Sequence, residues 1–245
     1  MLVSFASSVP KLPNYRDDNE DSFIIRDDSQ CFALSDGAGE SFDSKTWAQI
    51  LTKKFWDDPC VTPEWTDKCV SRYHSAFDLG SLSFSQQAAF ERGSFATLLG
   101  VQWDASDSAL RIVAVGDSLA LLVVGGVIIN SWPYSTAAQF NNRPTLISTI
   151  SSFNQFISAS DFQSQHYTSW KVENPGDTVL LCMTDALGQW LLRMAEQHDD
   201  SWKRLLAVTC PDELVVLIME ERAAKRMRVD DSTLVVARFH DGGPS

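Results

Sequence analysis

The chain has 245 residues, 44% of them hydrophobic, and its 32 acidic against 20 basic side chains leave a net charge of −12. Eight Trp and fourteen Phe supply a real core, and the length fits one large domain or two small ones. The acidic balance excludes a broad basic surface for nucleic acid, and no apolar run reaches the roughly 20 residues that cross a bilayer.

The N-terminal stretch MLVSFASSVPKLP lacks the charged and apolar regions of a secretory signal. Next comes YRDDNEDSF, with four acids and one arginine in nine residues. A first hairpin is predicted from Phe23–Ile25, a turn at Asp27–Gln30 and a return strand over Cys31–Ser35. Asp43 to Asp57 reads as a helix with Trp47, Ile50, Leu51 and Phe55 on one face. Thr62 and Pro63 mark the cap and first turn of a second helix, with Trp65, Cys69, Tyr73 and Phe77 at four-residue spacing. FATLLGVQW and ALRIVAV flank the turn DASDS, and LALLVV and VIIN flank Gly125-Gly126, a tight-turn pair. Residues 131–176, rich in Ser, Asn and Gln, read as a semi-independent, mobile flap. The strand TVLLCMT, a helix with Leu187, Trp190, Leu191 and Met194, a helix opened by Pro211, and the strand STLVVARF complete the chain. Hairpins imply antiparallel pairing, so the expectation is a single α+β domain over 1–245, with helices covering sheet faces. The cysteines (Cys31, Cys60, Cys69, Cys182, Cys210) are odd in number and form no C-x-x-C pair, so reduced thiols in a cytoplasm are expected.

The acids raise the functional question. With the first turn centred on Asp28-Ser29, Asp21 falls opposite Asp36, and facing carboxylates on a sheet repel by up to about 1 kcal/mol. Asp117, Asp185 and the pair Asp230-Asp231 each adjoin a very apolar strand. One such Asp is ordinarily a turn former or helix cap. Several, brought to one rim, would be hard oxygen ligands suited to Mg²⁺ or Mn²⁺.

These segments resemble, in order, the motifs of the metal-dependent protein Ser/Thr phosphatase family, type 2C. R-x-x-x-E-D occurs as Arg16 to Asp21, D-G-x-G as Asp36 to Gly39, G-[ST]-x-A-T as Gly93 to Thr97, and V-G-D-S as Val115 to Ser118. The late S-D-G-[LI] motif occurs as Thr184 to Leu187, and D-N-x-[ST]-hydrophobic as Asp230 to Leu234. The match runs from Arg16 to Val236. The resemblance implies a β-sandwich of two antiparallel sheets flanked by helices, and hydrolysis of phosphoserine and phosphothreonine by a water or hydroxide bridging two divalent metals. It implies that Asp36 bridges both metals, that the Gly37 carbonyl binds one, and that Asp185 and Asp230 complete the second site. Glu20 and Asp21 would bind directly or through water, Asp117 would serve a third metal, and Arg16 would hold the substrate phosphate. The implied partner is a phosphoprotein opposed by a Ser/Thr kinase, with the chain acting as a monomer.

Several positions depart from the family pattern: Glu40 after the D-G-x-G glycine, Ala186 for glycine, Gln189 for an acid that serves the third metal, Leu119 for arginine and Asp231 for asparagine. They motivate the alternative of an inactive pseudophosphatase kept as a binding module. Other phosphatase chemistries lack their residues. No cysteine has an arginine six positions on, and there is no D-x-D-x-[TV], Walker A or H-E-x-x-H sequence. His198 and His240 read as surface residues, and His74 as a packed or solvated residue before an acid catalyst.

Overall fold

The computed structural model describes residues 1–12, 16–26, 30–39 and 41–240, without the Arg16 side chain. Twelve strands and six α-helices are described. They run β1 (Leu2–Val9), β2 (Ser22–Ile25), β3 (Cys31–Ser35), α1 (Ser44–Asp57), α2 (Pro63–Ser75), α3 (Phe84–Arg92), β4 (Phe95–Ala96), β5 (Leu98–Asp104) and β6 (Ala109–Val115). There follow β7 (Leu119–Val124), β8 (Val127–Trp132), β9 (Ile147–Ser148), α4 (Phe162–His166), β10 (Tyr167–Lys171), β11 (Thr178–Met183), α5 (Asp185–Glu196), α6 (Pro211–Ala223) and β12 (Ser232–Arg238). One five-stranded sheet has the order β1-β12-β11-β7-β8, the other β10-β6-β5-β3-β2, and β4 pairs with β9. All named pairs are antiparallel, as the hairpin signals predict.

The long apolar runs are explained by burial on both faces. In β7, Ala120 and Leu122 enter the core between the sheets, where they join Phe32, Leu34, Ile112 and Val235. Leu119, Leu121 and Val123 turn the other way, toward Trp190 and Leu191 of α5 and Leu217 of α6. On the far sheet, Ala33, Leu98 and Val113 meet Trp47, Leu51 and Phe55 of α1. Successive strand residues point to opposite faces, so two packed sheets with helices outside both leave few polar positions. The expected α+β sandwich is the observed architecture.

Local signals match their chemistry. The Asp43 and Thr62 side chains accept hydrogen bonds from Thr46 N and Trp65 N and cap α1 and α2. Gly125 and Gly126 both have positive φ, +57° and +78°, which a two-residue turn matching strand twist requires. The first hairpin keeps its predicted register, Ser22 opposite Ser35 and Ile25 opposite Phe32; its turn at Asp27–Ser29 lies outside the described residues. No disulfide joins any of the five cysteines. Among the described residues, no helix is long and apolar enough to cross a membrane.

Residues 131–176 correct the reading as a semi-independent flap. Tyr167–Lys171 is an edge strand paired with β6. Ile147, Ile157 and Phe162 lie in the core above the β3–β5 sheet, and Trp47 Nε1 donates to Ile147 O at 2.8 Å. Polar composition hid a segment anchored by a few well-spaced apolar side chains. The N-terminal strand β1 and helix α3 also escape the sequence reading.

At Gly100 in β5, an added Cβ would stand 2.3 Å from the Phe55 ring. α1 thus seats the Phe55 ring directly on the sheet backbone. Gly100→Ala is expected to destabilise the protein by about 1–3 kcal/mol through overpacking, read as a lower urea midpoint at unchanged slope.

Candidate metal centre

The ends of β3, β6 and β11 and the starts of β2 and β12 lie at one end of the sandwich, and each is flanked by a predicted acid. Asp36 follows β3. Its N–H donates to Thr97 Oγ1 at 2.9 Å, and its carbonyl accepts from Thr97 N at 2.9 Å. Thr97 Oγ1 in turn lies 2.8 Å from Ser118 Oγ. The threonine of G-S-F-A-T and the serine of V-G-D-S therefore form a buried frame for the Asp36 backbone. The glycine of V-G-D-S is needed for the same approach: Gly116 has φ +103°, and a Cβ there would meet Thr97 Cγ2 at 2.6 Å. Gly37 is equally confined, since a Cβ would lie 2.9 Å from the Glu20 carbonyl oxygen and 2.8 Å from Ser44 Cβ.

Asp21 precedes β2 but is held by the other sheet. Its Oδ2 accepts from Thr184 Oγ1 at 3.0 Å and Thr233 Oγ1 at 2.7 Å. Its Oδ1 is shut off from solvent and has no hydrogen-bond donor, as is Oδ1 of Asp185 at the start of α5. Burial, then the neighbouring carboxylates, raises Asp36 well above the ordinary 3.8, with Asp21, Asp117 and Asp230 each contributing repulsion. Burial also raises Asp21, to about 7, and Asp117, which is only 7% exposed. Arg228 is the opposing charge. It forms an ion pair with Asp185 and lowers the pKa of both Asp36 and Asp117.

The structure thus brings together Asp21, Asp36, Asp117, Asp185 and Asp230. Glu20 is not among them. Its carboxylate takes a hydrogen bond from Ser44 Oγ at 2.5 Å and an ion pair from Lys11 at 3.1 Å. Asp231 is a clip rather than a ligand: its two oxygens accept from Lys11 N at 2.6 Å and Glu20 N at 2.8 Å. An asparagine offers one such oxygen, so the carboxylate suits this position. Arg16 starts a single 3-10 turn over 16–18; its predicted contact with phosphate lies outside the described residues, as does Glu40. Ala186 is buried, Leu119 is buried in the core that includes α5, and Gln189 stands beside Asn141. His74 is exposed, with its ring against Phe90, and takes no part in the acid group. Sequence reasoning missed the positioning residues Thr97, Ser118, Thr184 and Thr233, whose signal is a hydroxyl inside or next to an apolar run, and it missed Arg228.

Do these residues fit divalent cations? Among the described residues, no three Asp, Glu, His or Cys side chains close into a ready-made cage. The donor set nonetheless fits. Its oxygens are hard, the carboxylates outnumber the guanidiniums of Arg222 and Arg228 among the described residues, and two buried carboxylate oxygens lack any donor. Excess buried negative charge without partners is what a bound dication would relieve.

No family model matches this sequence, and no curated protein sequence does. Solved structures do match its fold. The Mycobacterium tuberculosis serine/threonine phosphatase PstP/Ppp is 19% identical, with 97% of this chain and 98% of that one covered and a TM-score of 0.56. The catalytic domain of PstP in complex with two manganese ions is 20% identical, with 97% of each chain covered and a TM-score of 0.57. The photosystem II phosphatase PBCP is 14% identical, with 96% and 97% covered and a TM-score of 0.56. The chain has the fold of the type 2C protein phosphatases.

The titration of Asp21 has a definite sign. Its folded pKa of about 7 exceeds the ordinary 3.8, so the folded state holds an extra proton between those values. This contribution to stability is complete below pH 3.8 and is lost as the pH rises through about 7. Chelator-treated protein is expected to lose melting temperature across that upper range, and Asp21→Asn to flatten the loss. Parallel melting curves for the two proteins against pH would contradict the assignment.

Proposed function

We propose that the chain is a divalent-metal-dependent phosphatase acting on phosphoserine and phosphothreonine in proteins. The observation that carries this reading is the gathering of Asp21, Asp36, Asp117, Asp185 and Asp230 at one end of a type 2C phosphatase sandwich, with orphaned oxygens on Asp21 and Asp185. Asp36, Asp185 and Asp230 would hold one cation, and Asp36 with the Gly37 carbonyl a second, while Asp117 is the acid available to a third. Mn²⁺ and Mg²⁺ are the matching ions. Bound there, the cations supply Lewis acidity toward the phosphoryl oxygens and make a water nucleophilic near neutral pH.

The chain's own residues do the rest. Thr97 and Ser118 fix the backbone that carries Asp36. Thr184 and Thr233 orient Asp21 from the opposite sheet. Arg16 binds the phosphate, with forked donors that match its oxygens and a charge that does not titrate away. No side chain serves as nucleophile. Water attacks phosphorus, and the serine or threonine hydroxyl leaves with a proton while inorganic phosphate is released. The substrate is a phosphoprotein, so a Ser/Thr kinase supplies it. The chain would act as a monomer in the cytoplasm, a compartment that suits five cysteines outside any disulfide.

A second reading has one observation in its favour: Arg228 already pairs with Asp185. That pair would suit a binding module in which an internal cation replaces a metal.

Hydrolysis of p-nitrophenyl phosphate with and without Mn²⁺ separates the two. Turnover is expected to require Mn²⁺ and to fall in Asp36→Asn by more than about 100-fold, beyond what loss of a merely supporting partner costs. Asp185→Asn is expected mainly to weaken metal binding. Arg16→Ala is expected to raise KM by about tenfold or more, the worth of a charged hydrogen bond. Wild type no faster than Asp36→Asn in Mn²⁺ refutes the enzyme. A Mn²⁺-induced rise in Tm without turnover supports the binding module, and no rise refutes metal binding altogether.

A further inference from the structure

A second cavity lies against the acid group and has the opposite charge. It is about 660 Å³ in volume and runs between the 137–141 turn, α5 and the segment that follows α6. Arg193, Arg222, Lys225, Arg226 and Arg228 line it, against one acid, Glu196. That is five of the chain's 20 basic residues on one wall of a protein whose net charge is −12. Such a concentration makes a local positive field in a surface that otherwise repels anions.

The state of each charge narrows the ligand. Glu196 is occupied by the Ala137 N–H at 2.8 Å. Glu221 grips Arg226 through both carboxylate oxygens, at 2.7 and 2.8 Å. Arg193 and Lys225 have no ion pair among the described residues. Arg222 is 8% exposed and directs its terminal nitrogens to the Pro10 and Asp230 carbonyls, which leaves a buried Nε without a partner. The side-chain amides of Asn141 and Gln189 add neutral donors on the same wall. Unmatched guanidinium and ammonium groups beside amide donors recognise a phosphate-type oxyanion.

The position narrows it further. Arg228 lines this cavity and also pairs with Asp185 of the acid group. The two sites therefore share one side chain as a wall, within reach of a single extended peptide. We infer that the cavity is a second anion subsite, which takes another phosphate borne by the same substrate whose first phosphate is hydrolysed. The inference rests on the phosphatase reading above for the first phosphate, and the substrate class it names is a segment phosphorylated at two nearby positions.

The test measures binding rather than turnover, so that the two readings fail separately. Peptides of one sequence, carrying one or two phosphates, are titrated by fluorescence anisotropy into chelator-treated protein. The doubly phosphorylated peptide is expected to bind about tenfold tighter, roughly the 1.4 kcal/mol that a tenfold change in Kd represents. The double variant Arg193→Gln, Lys225→Gln is expected to erase that gain, and Arg193→Lys, Lys225→Arg to keep it, which guards against a loss caused by misfolding. Equal affinity for the two peptides, or a gain that survives the Gln variant, overturns the subsite. Displacement of the doubly phosphorylated peptide by an equimolar amount of inorganic phosphate overturns the substrate-borne assignment in favour of a free anion. Because p-nitrophenyl phosphate carries one phosphate, its Mn²⁺-dependent turnover tests only the metal centre. Turnover without peptide discrimination removes the subsite alone, and discrimination without turnover removes the hydrolysis alone.

Discussion

Like charges held close together out of water are the constraint on which the rest of this molecule depends. Burial first, and repulsion between neighbouring carboxylates second, raise the pKa of Asp21, Asp36 and Asp117, and Asp230 adds to that repulsion. A chain left to itself would separate them. Instead, hydroxyls and backbone groups fasten each acid to a different part of the sandwich. Thr97 and Ser118 hold Asp36, Thr184 and Thr233 hold Asp21, and Arg222 holds the Asp230 carbonyl. Asp231 closes the rim by accepting from Lys11 and Glu20. The sheets supply the stiffness that resists the repulsion, and Arg228 supplies only part of the charge that would cancel it.

Much of this was legible in the sequence, for reasons that can be traced to particular residues. The hairpin that sets Asp21 against Asp36 follows from counting outward from one turn, because strand pairing is rigidly periodic. Asp43, Thr62 and the Gly125-Gly126 pair each announce a backbone geometry that few other residues satisfy. What stayed hidden depends on distant packing. β1 reads as an unremarkable serine-containing terminus until β12 pairs with it. β10 is a strand because Trp170 finds the core between the sheets, and the surrounding Ser and Gln give no sign of that. Glu20 is a similar case, since its carboxylate is claimed by Ser44 and Lys11, contacts that the sequence around it does not announce.

The motif residues divide accordingly. The acids carry the chemistry, while the glycines and hydroxyls are required by contact. Gly37 leaves room for the Glu20 carbonyl, and Gly116 for Thr97. Ala186 shows the converse. It takes a glycine's place in the late motif, and its side chain is fully buried in the first turn of α5. Arg228 belongs to no motif. Only the fold reveals that it stands between two sites of opposite charge and faces both.

The order of strands in the first sheet has a consequence for biosynthesis. β12, the last of the described strands in chain order, lies between β1, the first of them, and β11. Until the ribosome has delivered it, β1 has no neighbour in the sheet, Thr233 is not there to hold Asp21, and Asp230 is missing from the rim. Pairing across more than two hundred residues is slow to form. The nascent chain therefore carries exposed strand edges until β12 emerges, and its acids meet only then, when the enclosure that makes them repel one another forms.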